Sequence, residues 1–152
     1  RQTTPCVILD LPHGWQPWTK ACILAADEIV IVATPDLTSL RNAKNIIEMV
    51  KLARPNDAPP RLVLNQVGMP KRPEIPSKDF AETMGVDPAA ILPFDPALFG
   101  QAANNGQMLV ELSPKAPISE AVRRMARALT GRTNNGAQAK SGSLLSFLKK
   151  KA

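Results

Sequence analysis

EIVIVATPDLTS, Glu28 to Ser39, is the stretch whose reading decides the fold. Glu28 to Ala33 is almost wholly apolar and rich in β-branched side chains, the composition of a strand buried on both faces. TPDLTS then breaks the run and opens a long helix. Leu40, Ala43, Ile46, Ile47 and Val50 recur at helical spacing until Arg54-Pro55-Asn56-Asp57 stops it. A strand without a wet face followed by an amphipathic helix is the building unit of a parallel sheet covered by helices.

The same alternation extends outward in both directions. Upstream, Cys6 to Leu9 reads as a short buried strand. Pro17 to Ala26 reads as a helix with Pro17 at a permitted first-turn position and Trp18, Cys22 and Leu24 as its apolar members. Downstream, RLVLNQV (Arg61 to Val67) is a third strand. Ser77 is expected to cap a short helix with Phe80, Ala81 and Met84 on one side and Gly85 as terminator. AAILPFD (Ala89 to Asp95) is a fourth strand, Asp95 is placed to cap a helix starting near Pro96, and Asn104-Asn105-Gly106 closes that helix. A last helix, Ser119 to Thr130, ends at Gly131. The fold class expected is α/β, a mostly parallel sheet with helices on both faces.

Composition bounds what such a fold can do. With 152 residues, 44% hydrophobic and 21% charged, the chain has the make-up of a globular domain with its own core. It carries no apolar run long enough to span a bilayer and no export signal, so a cytoplasmic location is expected. Two cysteines and one histidine make neither a disulfide framework nor a zinc pattern, and Cys6 and Cys22 are expected to be reduced core residues. The chain does not begin with Met and reaches its first apolar run within a few residues, which leads us to expect a piece of a longer protein. The net charge of +6 belongs to one end. From Gly131 onward there are five basic residues and no acids, whereas the body to Thr130 holds 14 basic and 13 acidic residues. A body so nearly neutral argues against a broad phosphate-binding face, and nucleic acid is not the expected partner.

In an open parallel sheet, ligands bind beyond the carboxyl ends of the strands. Asp10 stands at such an end, in CVILDLPHGW (Cys6 to Trp15), where Pro12 and Gly14 pace the following loop. An apolar run ending in Asp suits a carboxylate that holds magnesium through water, because a hard cation takes oxygen ligands. The same spelling also suits an Asp that caps a turn. Asn65, at the end of LVLNQ, offers one donor and one acceptor to a base, or satisfies its own turn.

The local pattern DLPHG is similar to the D-x-P-x-G of MinD/ParA-type ATPases. Together with ATPDLTSLRNAK (Ala33 to Lys44), LVLNQVGMPKRPE (Leu62 to Glu74) and LPFDPALFGQAANNGQM (Leu92 to Met108), it closely resembles the ATPase domain of the pilus-assembly CpaE family, from Pro5 to Arg132. The resemblance implies a P-loop NTPase fold of MinD/ParA-like type, with ATP and Mg2+ as cofactors in the full-length protein. It implies magnesium at Asp10, a nucleotide-responsive loop at Pro12 and Gly14, and an adenine contact at Asn65. It also implies that Pro93 and Phe94 line the other side of the base, although Phe94 equally suits a strand exit packed on the next helix. It implies a homodimer built around nucleotide and partners in the pilus-assembly machinery. His13 then reads as a solvated loop residue, Trp15 and Trp18 as anchors of that loop against the core or a partner-facing patch when the loop moves, and Arg41 as a surface charge or a side chain reaching across a dimer interface.

The departure from the pattern is an absence. No G-x-x-x-x-G-K-[ST] occurs in the 152 residues, and the eight glycines never cluster. The chain therefore looks like the carboxyl-terminal half of the ATPase domain, residues 1–131, lacking the N-terminal Walker A strand and loop. It is not expected to hydrolyse ATP by itself. The alternative function is a nucleotide-independent scaffold.

Residues 132–143, rich in Gly, Asn and Ser, read as a flexible linker. In residues 144–152, Leu144, Leu145, Phe147 and Leu148 are followed at once by Lys149, Lys150 and Lys151. That pairing suits a short helix in an anionic membrane interface, peripheral at the inner membrane. A solubilising end or a segment that docks on a partner protein suits the same composition.

Overall fold

A central strand with no wet face organises the molecule. In the computed structural model, which describes residues 6–131, β2 (Arg61–Val67) lies between β1 (Val30–Ala33) and β3 (Pro88–Pro93), and both pairings are parallel. Leu62, Val63 and Leu64 of β2 are fully buried, as a strand flanked on both edges and both faces must be.

Alternation along the strands sorts the core in two. On one face, Ile31 and Ala33 of β1 join Leu62 and Leu64 of β2 beneath Leu40, Ala43 and Ile47 of α2 (Leu37–Ala53) and Phe80 and Met84 of α3 (Ser77–Met84). On the other, Val63, Ala90 and Leu92 pack against Ile118 and Ala121 of α6 (Pro117–Thr130). Helices thus cover both faces, as the sequence predicts. Before β1, α1 (Pro17–Ala25) lies against α2, and α4 (Pro96–Asn105) and α5 (Leu109–Leu112) lead from β3 to α6.

Helix ends follow the local chemistry. Asp95 accepts the Leu98 N–H at 2.9 Å and caps α4, with Pro96 as its first residue. Gly85 and Gly106 close α3 and α4 at φ 64° and 63°, the left-handed region where a residue without Cβ is unstrained. Ser77 departs from expectation. Pro76 occupies the cap position and Ser77 is already helical, so no side chain caps α3.

The described residues hold three strands, not the four expected. Cys6 to Leu9 is not a strand: it makes no ladder hydrogen bond, and Val7, Ile8 and Leu9 are 65%, 87% and 62% exposed. An apolar run becomes a strand only when a neighbour takes its backbone N–H and C=O groups, and this one has no such neighbour among the described residues. Cys6 is accordingly exposed rather than in the core, and Cys22 is half-buried. The outer edge of β1 is also unpaired among the described residues, and Val32 on its second face is exposed. Trp15 and Trp18 are exposed as well, so they do not anchor their loop against the core; Thr19 and Ile23 are the buried residues of α1. The linker at 132–143 and the apolar-basic tail at 144–152 lie outside the described residues.

Candidate functional site

Because all three strands run parallel, the ends of β1, β2 and β3 at Ala33, Val67 and Pro93 open on one edge of the sheet. Three short segments meet there.

The first follows β1. Thr34, Asp36 and Ser39 form a closed polar knot at the start of α2. The Asp36 carboxylate accepts the Ser39 N–H at 2.8 Å, the Ser39 hydroxyl at 3.2 Å and the Thr34 hydroxyl, and the two hydroxyls lie 2.8 Å apart. The Thr34 hydroxyl and then the Ser39 N–H hold the Asp36 carboxyl below its ordinary range, with a smaller contribution from the charge of Arg72. Arg72 thus belongs electrostatically to this edge although it lies far along the chain.

The second segment follows Leu64. Asn65 is half-buried, and its Oδ1 accepts the Gln66 N–H at 2.9 Å. Gln66 takes φ 57°, unusual for a residue with a Cβ. The loop beyond β2 is then gathered by two charged side chains. The Glu74 carboxylate accepts the Gly68 N–H at 2.9 Å and the Met69 N–H at 3.1 Å, and it is paired with the Arg72 guanidinium at 2.8 Å. These bonds, the Gly68 N–H foremost and the Arg72 guanidinium next, lower the Glu74 pKa. The Ile75 N–H donates to the Pro35 carbonyl at 2.8 Å, which ties the loop to the segment after β1.

The third segment follows β3. Val67 pairs with Pro93, and the Phe94 N–H donates to the Val67 carbonyl at 2.8 Å. Register therefore brings Pro93 and the half-buried Phe94 beside the chain that carries Asn65. Three of the sequence-predicted residues, Asn65, Pro93 and Phe94, come together here.

Asp10, Pro12 and Gly14 sit apart. Asp10 and Pro12 are exposed in the loop before α1, and no hydrogen bond or ion pair joins Asp10 to the strand-end cluster among the described residues. The Gly14 carbonyl accepts the Gln16 N–H at 3.2 Å and the Thr19 hydroxyl at 3.3 Å, so it serves the start of α1. Among the described residues, no group of three or more His, Cys, Asp or Glu side chains gathers into a metal cage. A lone carboxylate fits a magnesium ion whose remaining ligands are water and phosphate oxygens. His13 and Arg41 are exposed, as expected.

The sequence reading missed Gln66, Arg72 and Glu74, although all three lie inside LVLNQVGMPKRPE. Their roles depend on the positive φ at Gln66 and a second at Lys71, which fold the loop back on itself. No residue-type signal marks a glutamine for that conformation.

With this geometry in hand, comparison with known proteins gives a consistent result. No protein-family model matches the chain. The chain is 28% identical over 134 residues to the septum site-determining protein MinD of Bacillus subtilis, covering 86% of this chain and 49% of the relative. The solved structure of the cell division ATPase MinD of Pyrococcus furiosus superposes with a TM-score of 0.67 at 24% identity, covering 80% of this chain and 50% of that one. A ParA family ATPase from Chlorobium tepidum gives a TM-score of 0.55 at 26% identity, covering 66% and 41%. The fold is that of the MinD/ParA-like P-loop ATPases, and the chain spans about half the length of the curated relatives it matches.

Proposed function

We propose that this chain forms the adenine-binding side of a MinD/ParA-like ATPase of the CpaE type, acting with ATP and magnesium as a dimeric spatial switch in pilus assembly. The observation that carries the reading is the junction of β2 and β3: Val67 pairs with Pro93, and this sets Phe94 beside the strand end that bears Asn65. With Oδ1 engaged by the Gln66 N–H, the Asn65 amide keeps two N–H donors and one further lone pair, enough to meet the donor and acceptor on adenine's edge. Phe94 supplies apolar contact to a base held there. Likeness to MinD of Bacillus subtilis and to the MinD structure supports the nucleotide; the motifs shared with the CpaE family support the pilus.

Within the reaction this chain's residues bind and orient. Asn65 and Phe94 hold the base, and Asp10 would hold magnesium through water. Magnesium supplies charge neutralisation at the phosphates when bound. Homodimerisation, pilus-machinery partners and membrane contact through Leu144 to Lys151 belong to the same proposal.

The test is calorimetric titration of the full-length protein with ATP and GTP. Asn65→Ala is expected to lose most of the preference for ATP. An unchanged preference would remove the adenine assignment. A second reading, a nucleotide-independent scaffold, draws on the exposed side chains of Trp15 and Trp18 beside an exposed Asp10. Full-length protein that binds neither nucleotide would favour it.

A further inference from the structure

We infer that Arg72, with Glu74 behind it, is a positioning residue that sets base selectivity by locking Gln66 and, through Gln66, the amide of Asn65. The inference rests on the adenine reading of Asn65 given above.

The geometry begins with an unfavourable conformation. Gln66 at φ 57° is a residue with a side chain in a region that favours glycine, so surrounding contacts must hold it. Arg72 supplies them from one planar group. Its Nη2 donates to the Gln66 backbone carbonyl, its Nη1 donates to the Gln66 side-chain oxygen at 3.2 Å, and Nη2 also meets Glu74 at 2.8 Å. Two polar groups of Gln66, its backbone carbonyl and side-chain oxygen, are thereby fixed. The third, its N–H, is spent on Asn65 Oδ1.

That last bond makes the clamp bear on selectivity. A backbone N–H can only be accepted by the amide oxygen, so a fixed Gln66 dictates which way the Asn65 amide faces. Asn65 Nδ2 has no partner among the described residues and is left to donate outward. If the Asn65–Gln66 peptide plane flipped and carried Gln66 to negative φ, the Gln66 N–H would turn away and the Asn65 amide could rotate, presenting oxygen where a donor is needed. Adenine and guanine differ in the donor and acceptor placed on that edge, so a free amide discriminates between them less well.

The clamp is itself braced. Glu74 holds the Gly68 and Met69 N–H groups, so the carboxylate fixes both the loop backbone and the guanidinium. Arg72 Nε is buried with no partner among the described residues, a cost that a surface arginine would escape by swinging into water. Lysine cannot substitute: one ammonium lacks the fork that reaches the carbonyl, the amide oxygen and the carboxylate together.

The experiment measures ATP and GTP affinities of the full-length protein in wild type, Arg72→Lys, Glu74→Gln and Arg54→Lys. Arg54 is also ion-paired, to Asp57, but at the far end of α2. Arg72→Lys is expected to lose about tenfold in ATP affinity, the scale of one or two oriented hydrogen bonds, with GTP affinity unchanged. Glu74→Gln should shift the ratio in the same direction by about threefold, and it decides the matter if Arg72→Lys fails to fold. Arg54→Lys should leave the ratio at the wild-type value. Equal losses for ATP and GTP, or an unchanged ratio in a folded Arg72→Lys or Glu74→Gln protein, would overturn the inference. Its failure is separable from that of the adenine reading: selectivity lost in Asn65→Ala but kept in Arg72→Lys sinks the clamp alone, whereas a wild type without ATP preference sinks both.

Discussion

Asp36→Ala removes the knot at the start of α2, and the structure sets the size of the effect. The carboxylate takes the Ser39 N–H at 2.8 Å as a helix cap and also holds the Thr34 and Ser39 hydroxyls. Loss of an N-cap costs about 1 kcal/mol, and the two hydroxyls can turn to water or to each other, so about 1–2 kcal/mol is expected at neutral pH. Asp36→Asn keeps a neutral acceptor for the Ser39 N–H and should cost less. The pH dependence has a definite sign. The folded-state pKa of Asp36 lies below its ordinary value of 3.8, so its contribution is present above that value and fades as pH falls through the folded pKa. Urea denaturation of wild type and Asp36→Ala at neutral pH and in the acid range measures both quantities. The stability difference should shrink in acid. A difference at neutral pH within about 0.5 kcal/mol, the scale of a neutral surface change, would refute the capping role. A difference that grows as the carboxyl protonates would refute the electrostatic account.

Phe80→Ala, which empties a fully buried position between α3 and the sheet, should cost about 3–5 kcal/mol in the same assay; a loss below about 1 kcal/mol would mean that α3 does not seal that face. The 152-residue chain by itself should show no ATP turnover above a buffer blank, because it carries no phosphate-cradling loop; turnover abolished by Asp10→Ala would overturn this. Deleting Leu144 to Ala152 should abolish co-sedimentation of the ATP-bound full-length protein with anionic liposomes. Equal binding to neutral and anionic vesicles would return the tail to a docking or spacer role.

What was legible in the sequence was whatever depends on pattern along the chain. EIVIVA and RLVLNQV announced strands, of which only RLVLNQV proves buried on both faces since Val32 of β1 is exposed; Leu40 to Val50 announced α2, and Asp95, Gly85, Gly106 and Gly131 marked helix ends as observed. Cys6 to Leu9 was misread for a physical reason. Apolar composition makes a segment fit for a strand, but a strand exists only where another backbone receives it, and none does so here among the described residues. The anchoring of Trp15 and Trp18 against the core fails on the same ground, since a large apolar side chain is buried only if a surface meets it. At the site, Asn65 and Phe94 could be nominated from strand ends, because a parallel sheet gathers those ends. Their union through Val67 and Pro93 is a matter of register and could not be read locally. The grip of Arg72 on Gln66 lay further beyond reach, since it depends on one backbone angle.

The central claim is that the ends of β2 and β3 hold adenine, and photolabelling tests it most directly. Full-length protein irradiated with 2-azido-ATP or 8-azido-ATP and mapped by mass spectrometry should carry the label in peptides spanning Asn65 to Val67 or Pro93 to Phe94. Excess ATP should protect these peptides, and excess GTP should protect them less. Label confined to other peptides, or undiminished by ATP, would contradict the account.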